Sequence, residues 1–115
     1  MNICIIIPAY NEEDYIVNTL ESLVSQTYPI KEIVIVNDNS TDNTRSIIDS
    51  FSEKHSFIKS ITTKSEAIHL PGSKVINAFY KGFEFIDKEY DLICKIDADL
   101  IFPSNYFESI IAIFK

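Results

Sequence analysis

Asp97 and Asp99 flank a single alanine directly after the apolar run that ends Leu92-Ile93-Cys94-Lys95-Ile96. Two carboxylates at that spacing on nearly extended chain leave the same side and can meet one hard cation, Mg²⁺ or Mn²⁺. Spacing alone suits a solvated turn equally well. Position is more informative: the pair follows at once on an apolar strand and abuts a second apolar stretch, Leu100-Ile101-Phe102, where a solvated turn more often brings glycine, serine or asparagine. Asp38, inside Asn37-Asp38-Asn39-Ser40-Thr41-Asp42, is a further carboxylate in a cluster that also serves turn and cap chemistry. Tyr10 can pack at a rim or stack on a planar base. Glu12 can cap a helix or face a ligand. Lys74, which opens a helix after Pro71-Gly72, is either a solvated side chain or a point charge within reach of a diphosphate. His69 is a lone loop histidine with no assigned role. The chain has no Ser-His-Asp, Cys-His or multi-cysteine arrangement, so covalent catalysis has no candidate.

These residues are useful only if the elements around them converge. Ile3 to Ile7 is a branched run ending in Pro8, the pattern of a strand buried on both faces. From Glu12 the period changes: Ile16, Val17, Leu20, Leu23 and Val24 recur at helical spacing, with Asn11 as the expected N-cap and Tyr28-Pro29 as the stop. Ile33 to Val36 reads as a second buried strand, followed by a helix carrying Ile47, Ile48 and Phe51. Phe57 to Thr63 is a weaker strand suited to a sheet edge. A loop from Lys64 to Gly72 leads to a third helix marked by Val75, Ile76, Phe79, Phe83 and Ile86, which carries Gly82 at some cost in propensity. Asp91 to Ile96 is the fourth strand. A last helix opens at Pro103 or Ser104, with Tyr106 or Phe107, Ile110, Ile111 and Phe114 facing inward.

Strand and helix alternating four times predict an α/β fold: a three-layer, Rossmann-like parallel sheet in the order 3-2-1-4. In that order strands 1 and 4 flank the switch point, and the loops at Pro8 to Glu12, Asn37 to Asp42 and Asp97 to Leu100 meet in one crevice beyond the carboxyl ends of the strands.

Composition narrows the chemistry. With 115 residues, 46% of them hydrophobic, one core is expected. A net charge of -7 argues against nucleic acid as a partner, because phosphate backbones need a basic face. The two glycines, Gly72 and Gly82, do not follow the first strand, which removes the dinucleotide fingerprint and the P-loop. A phosphorylated ligand here would depend on a cation. The apolar runs are too short to span a bilayer and the first residues lack the pattern of a signal peptide, so a cytoplasmic location is expected. Cys4 and Cys94 sit in apolar runs and are expected to be free.

Taken in order, four blocks resemble the family-two glycosyltransferases with the GT-A fold. They are Pro8-Ala9-Tyr10-Asn11-Glu12-Glu13, Asn37-Asp38-Asn39-Ser40-Thr41-Asp42-Asn43-Thr44, Pro71-Gly72-Ser73-Lys74 with Val75-Ile76-Asn77-Ala78, and Asp97-Ala98-Asp99. Asn37 stands where an acid is common in that family, and Lys74 where arginine is frequent. The resemblance implies transfer of a sugar from a nucleotide-sugar donor, UDP-linked ahead of GDP-linked, with inversion. It implies donor contacts from Pro8, Ala9, Tyr10, Glu12, Asp38, Lys74 and Asp97. Asp99 is implied as the firmer metal ligand and Asp97 as the second, with Mg²⁺ or Mn²⁺ as cofactor. It covers the donor-binding, N-terminal half of the family's domain, residues 1–115, and places the acceptor half and the general base beyond Lys115. A saccharide, a lipid phosphate or another acceptor fits, the lipid case with work at a membrane surface. The alternative is a truncated nucleotide-binding module without catalysis. A receiver-like domain shares an acidic crevice but needs an aspartate ending strand 3, where Ile61-Thr62-Thr63-Lys64-Ser65 has none.

Overall fold

The computed structural model describes residues 1–63 and 73–114, the side chains of residues 73–76 excepted. The expected Lys64 to Gly72 loop, with His69, lies outside the described residues. Strands β1 (Ile3–Ala9), β2 (Glu32–Asp38), β3 (Ile58–Thr63) and β4 (Leu92–Lys95) alternate with helices α1 (Ile16–Val24), α2 (Thr44–Lys54), α3 (Ser73–Phe83) and α4 (Tyr106–Phe114). All pairings are parallel, and the sheet order is β3-β2-β1-β4, as the alternation predicts.

The order explains the layers. From β1 to β3 the chain steps in one direction, and α1 and α2 cover one face. The return to β4 on the other side of β1 sends α3 across the opposite face. Alternate residues of β1 divide accordingly. Ile3, Ile5 and Ile7 pack with Ile16, Leu20, Leu23, Ile48, Phe107 and Ile111, whereas Cys4 and Ile6 pack with Val34, Val36, Ala78 and Ile86. The two central strands are thus buried on both faces, which is why they read as unbroken branched runs. β3 lies at the edge as expected, but its burial does not alternate: Ile58 is buried, and the residues from Lys59 to Thr63 are half-buried or exposed.

Gly82 has a packing reason. A Cβ on it would lie 2.7 Å from Ile6 Cγ2 and 2.9 Å from Val36 Cγ2, so a side chain there is excluded by the approach of α3 to the sheet. Both cysteines are free, Cys4 buried and Cys94 partly so, and burial raises the pKa of each thiol.

Two local expectations need correction. α1 begins at Ile16, after a turn in which the Glu12 carbonyl accepts from the Tyr15 and Ile16 amides, so Asn11 does not cap it. Asn11 adopts φ 50° and bonds across to Thr41 instead. In α4, Phe107 and Ile111 are buried and Ile110 half-buried, but Phe114 is 59% exposed and Tyr106 39%. β4 is an edge strand on its far side, and among the described residues no element covers that end of the helix.

Candidate functional site

A crevice of about 380 Å³ opens at the carboxyl ends of the strands, between β1, β2 and β4. Pro8 and Ala9 from β1 line it, with Tyr10 and Glu12 from the loop that follows. Asp38 comes from the end of β2, and Asp97, Ala98 and Asp99 from the segment after β4. α3 contributes Ala78.

Strand register makes this possible. Ala9 pairs with Asn37, so Tyr10 and Asp38 follow at the same height, while β4 pairs with β1 only as far as Lys95 opposite Ile6. One more bond, from the Ile96 amide to the Ile6 carbonyl at 3.0 Å, guides the chain out of the sheet just before Asp97. Asp38 is 5% exposed and Tyr10 49% exposed, which puts the carboxylate on the inner wall and the ring on the rim. Of the expected site residues, Pro8, Ala9, Tyr10, Glu12, Asp38, Asp97 and Asp99 therefore meet around one space. Lys74 stands in the first turn of α3, and its side chain, like Pro71 and Gly72, lies outside the described residues.

A clasp between the two loops holds the wall in place. Asn11 Oδ1 accepts the Thr41 amide at 2.8 Å, and the Asn11 amide donates to Ser40 Oγ at 3.1 Å. Next to it, the Glu12 amide donates to Thr44 Oγ1 at 2.8 Å, and that hydroxyl in turn donates to Asp42 Oδ1. Asp42 also accepts the Thr44 amide. Burial pushes the Asp42 carboxyl up, but the bonds from the Thr44 hydroxyl and amide and from the Glu13 amide outweigh it and hold the group below its usual range. Asn37, where an acid is common, turns inward at 1% exposure, and its Oδ1 accepts the Ser40 amide. It closes the turn rather than lining the crevice.

The crevice is electrostatically unbalanced. Burial pushes the Glu12 carboxyl up, and the charges of Asp99, Asp42 and Asp97 push it further. The one ion pair found there among the described residues is Lys95 Nζ to Asp97 Oδ1 at 3.1 Å, between two exposed side chains. Among the described residues no three His, Cys, Asp or Glu side chains gather closely enough to cage a metal. Two carboxylates, with the remaining ligands from a phosphorylated molecule and water, is nevertheless the usual way Mg²⁺ is held. Asp97 and Asp99 fit that donor set and would supply the protein's share.

Ala78 escaped the reading of the sequence as a site residue. Its signal is the small pair Ala78 and Gly82, one helical turn apart on the sheet-facing side of α3. Small side chains there let the helix lie close and leave room at its upper end.

Comparison with known proteins bears on this geometry. A sequence model described as glycosyl transferase family 2 matches residues 4–115. The chain is 40% identical over 99 residues to the "Probable glycosyltransferase YdaM" of Bacillus subtilis (strain 168), a match covering 84% of this chain and 22% of that protein. It superimposes on a crystal structure of S. aureus TarS, residues 1–349, in complex with UDP, with a TM-score of 0.78 and 27% identity. That match covers 97% of this chain and 31% of the other. A mannosyltransferase from Pyrobaculum calidifontis, solved with GDP-Man and Mn²⁺, shares the fold at a TM-score of 0.68 and 24% identity, over 89% of this chain and 28% of its own. The chain thus spans about a fifth to a third of the length of these proteins.

Proposed function

The chain belongs to glycosyl transferase family 2, and from that membership we propose that residues 1–115 are the nucleotide-sugar-binding part of a GT-A glycosyltransferase domain. The observation that carries this reading is the meeting of Pro8, Ala9, Tyr10, Asp38, Asp97 and Asp99 around one crevice, although they come from three strands distant in sequence. The complex of the TarS relative with UDP supports a uridine nucleotide as the donor's carrier.

In this reading the base lies between the Tyr10 ring on the rim and the Asp38 carboxylate on the inner wall, which can accept from a base N–H. Pro8 and Ala9 give an apolar floor, and Ala78 leaves the space open on the α3 side. Asp97 reaches both the ribose hydroxyls and the cation, and Asp99 holds the cation. Lys74 adds a positive charge to the diphosphate. A bound Mg²⁺ or Mn²⁺ supplies Lewis-acid stabilisation of the charge that builds on the leaving diphosphate. The crevice carboxylates make that cation necessary, since a diphosphate beside Glu12, Asp38, Asp97 and Asp99 would otherwise be repelled. Inversion then needs an acceptor hydroxyl activated by a general base, and we assign neither the base nor the acceptor site to a residue of this crevice.

Calorimetric titration of UDP, GDP and their sugar conjugates, with and without Mn²⁺, tests the reading on wild type, Asp97→Asn and Asp99→Asn. The expected result is Mn²⁺-dependent binding that favours uridine and is lost chiefly in Asp99→Asn. Equal binding by all three proteins removes the metal role. Absence of nucleotide binding under every condition removes the donor site.

A further inference from the structure

Asp97-Ala98-Asp99 lies in no helix or strand, so the aim of its two carboxylates must be fixed from outside. The fixing comes from α1. Thr19 is fully buried, and its hydroxyl donates to the Ala98 carbonyl at 2.9 Å, out of reach of solvent. The Tyr15 carbonyl competes for the same proton at 3.3 Å, and the shorter bond goes to Ala98. Three residues along, Ser22 Oγ accepts the Phe102 amide at 3.1 Å. Gln26, four further, donates to the Pro103 carbonyl at 2.6 Å and accepts the Phe107 amide at 3.1 Å. Thr19 and Ser22 lie one turn apart on α1, Gln26 follows just past its C-terminal end, and each of the three makes at least one hydrogen bond to backbone between Ala98 and Phe107.

We propose that Thr19, backed by Ser22 and Gln26, is a positioning residue for the Asp97-Ala98-Asp99 turn: its hydroxyl fixes the Ala98–Asp99 peptide plane and so the direction in which the neighbouring carboxylates face the crevice. The proposal rests on the donor-site reading above. Ala98 is 3% exposed, and its carbonyl without a donor would be buried and unsatisfied. The peptide's relief is to rotate toward water, and the same rotation turns the Asp99 side chain away. Thr19 does not line the crevice, so its effect on a ligand passes entirely through this turn, as with other groups that orient metal-binding side chains from behind.

The test compares Thr19→Val, which keeps the shape and removes the hydroxyl, with Thr19→Ser, which keeps the hydroxyl. Amide ¹⁵N relaxation without ligand reads the order of Ala98, Asp99 and Leu100, and titration with UDP is run with and without Mn²⁺. Thr19→Val is expected to lower order at Asp99 and weaken Mn²⁺-supported UDP affinity by about 10- to 100-fold, with metal-free affinity changed by less than about twofold. Thr19→Ser restores both. Unchanged order in Thr19→Val overturns the proposal, as does equal loss with and without Mn²⁺, or lost order with binding intact. If Thr19→Val does not fold, Ser22→Ala must show the same selective loss at smaller amplitude, and its failure to do so is equally decisive. Should wild type bind no UDP at all, the donor-site reading falls and the positioning role with it. Binding by wild type with no selective loss in the variants sinks the positioning role alone.

Discussion

Replacement of Gly82 by alanine sets two physical effects against each other. In an exposed helix the change is stabilising by about 1 kcal/mol, because glycine loses more backbone freedom on folding. Here the added Cβ would stand 2.7 Å from Ile6 Cγ2 and 2.9 Å from Val36 Cγ2. Neither partner can swing aside: each methyl is attached directly to the branched Cβ of a fully buried strand residue. Relief must come from lifting α3 off the sheet, a form of overpacking that costs about 1–3 kcal/mol, and with two contacts violated together we take the upper part of that range, about 2–3 kcal/mol. The net expectation is a loss of about 1–2 kcal/mol, or a fall in Tm of roughly 4–8 °C for a domain of this size. The lift also moves Ala78, one turn earlier, where it lines the crevice. Urea and thermal unfolding followed by circular dichroism give the stability, and UDP titration gives the consequence at the site. A Gly82→Ala protein as stable as wild type, or more so, refutes the packing argument and leaves only propensity.

Three further outcomes follow from the loops and charges around the site. Asn11→Gly keeps the φ of 50° accessible and loses the bond to the Thr41 amide, whereas Asn11→Ala also adds the left-handed strain; denaturant midpoints should place alanine about 1 kcal/mol below glycine, and glycine below wild type. Because burial and the charges of Asp99, Asp42 and Asp97 raise the Glu12 carboxyl in the folded state, its ionised form weakens the fold, and stability falls as pH rises through the raised value. Glu12→Gln should therefore be more stable than wild type at neutral pH, with an advantage that shrinks as the medium is acidified and Glu12 takes up its proton; urea midpoints from pH 4 to 8 test the sign. Lys95→Met frees Asp97 from an exposed ion pair worth about 0–1 kcal/mol, so Mn²⁺ affinity in low salt should rise by up to about fivefold, and the difference should fade at high salt.

The crevice was legible in the sequence where local signals and topology coincide. Unbroken runs such as Ile3 to Ile7 can be satisfied only between two layers of helix, and four alternations leave few ways to arrange them, so the strand order and the switch-point crevice follow from pattern alone. The crevice carboxylates were legible for the same reason, each being placed just after an apolar run. Asn11 was misread because a cap and a left-handed bridge to a neighbouring loop look alike until the neighbour is known. The inward aim of Phe114 failed for a related reason: helical periodicity names a face, but burial of the last turn requires something packed against it.

By itself, then, the chain determined its layers, its parallel sheet and the ends of the strands at which chemistry gathers, because those depend on hydrophobic period and short connections. What only the tertiary structure decided is how closely those parts meet. The depth of α3 over Ile6 and Val36, the clasp from Asn11 to Thr41 and the bond from Thr19 to Ala98 all join residues far apart in sequence. No local preference encodes such contacts: each exists because two elements, each formed for its own reasons, are packed at one distance that leaves a buried polar group its partner or a glycine no room for a side chain.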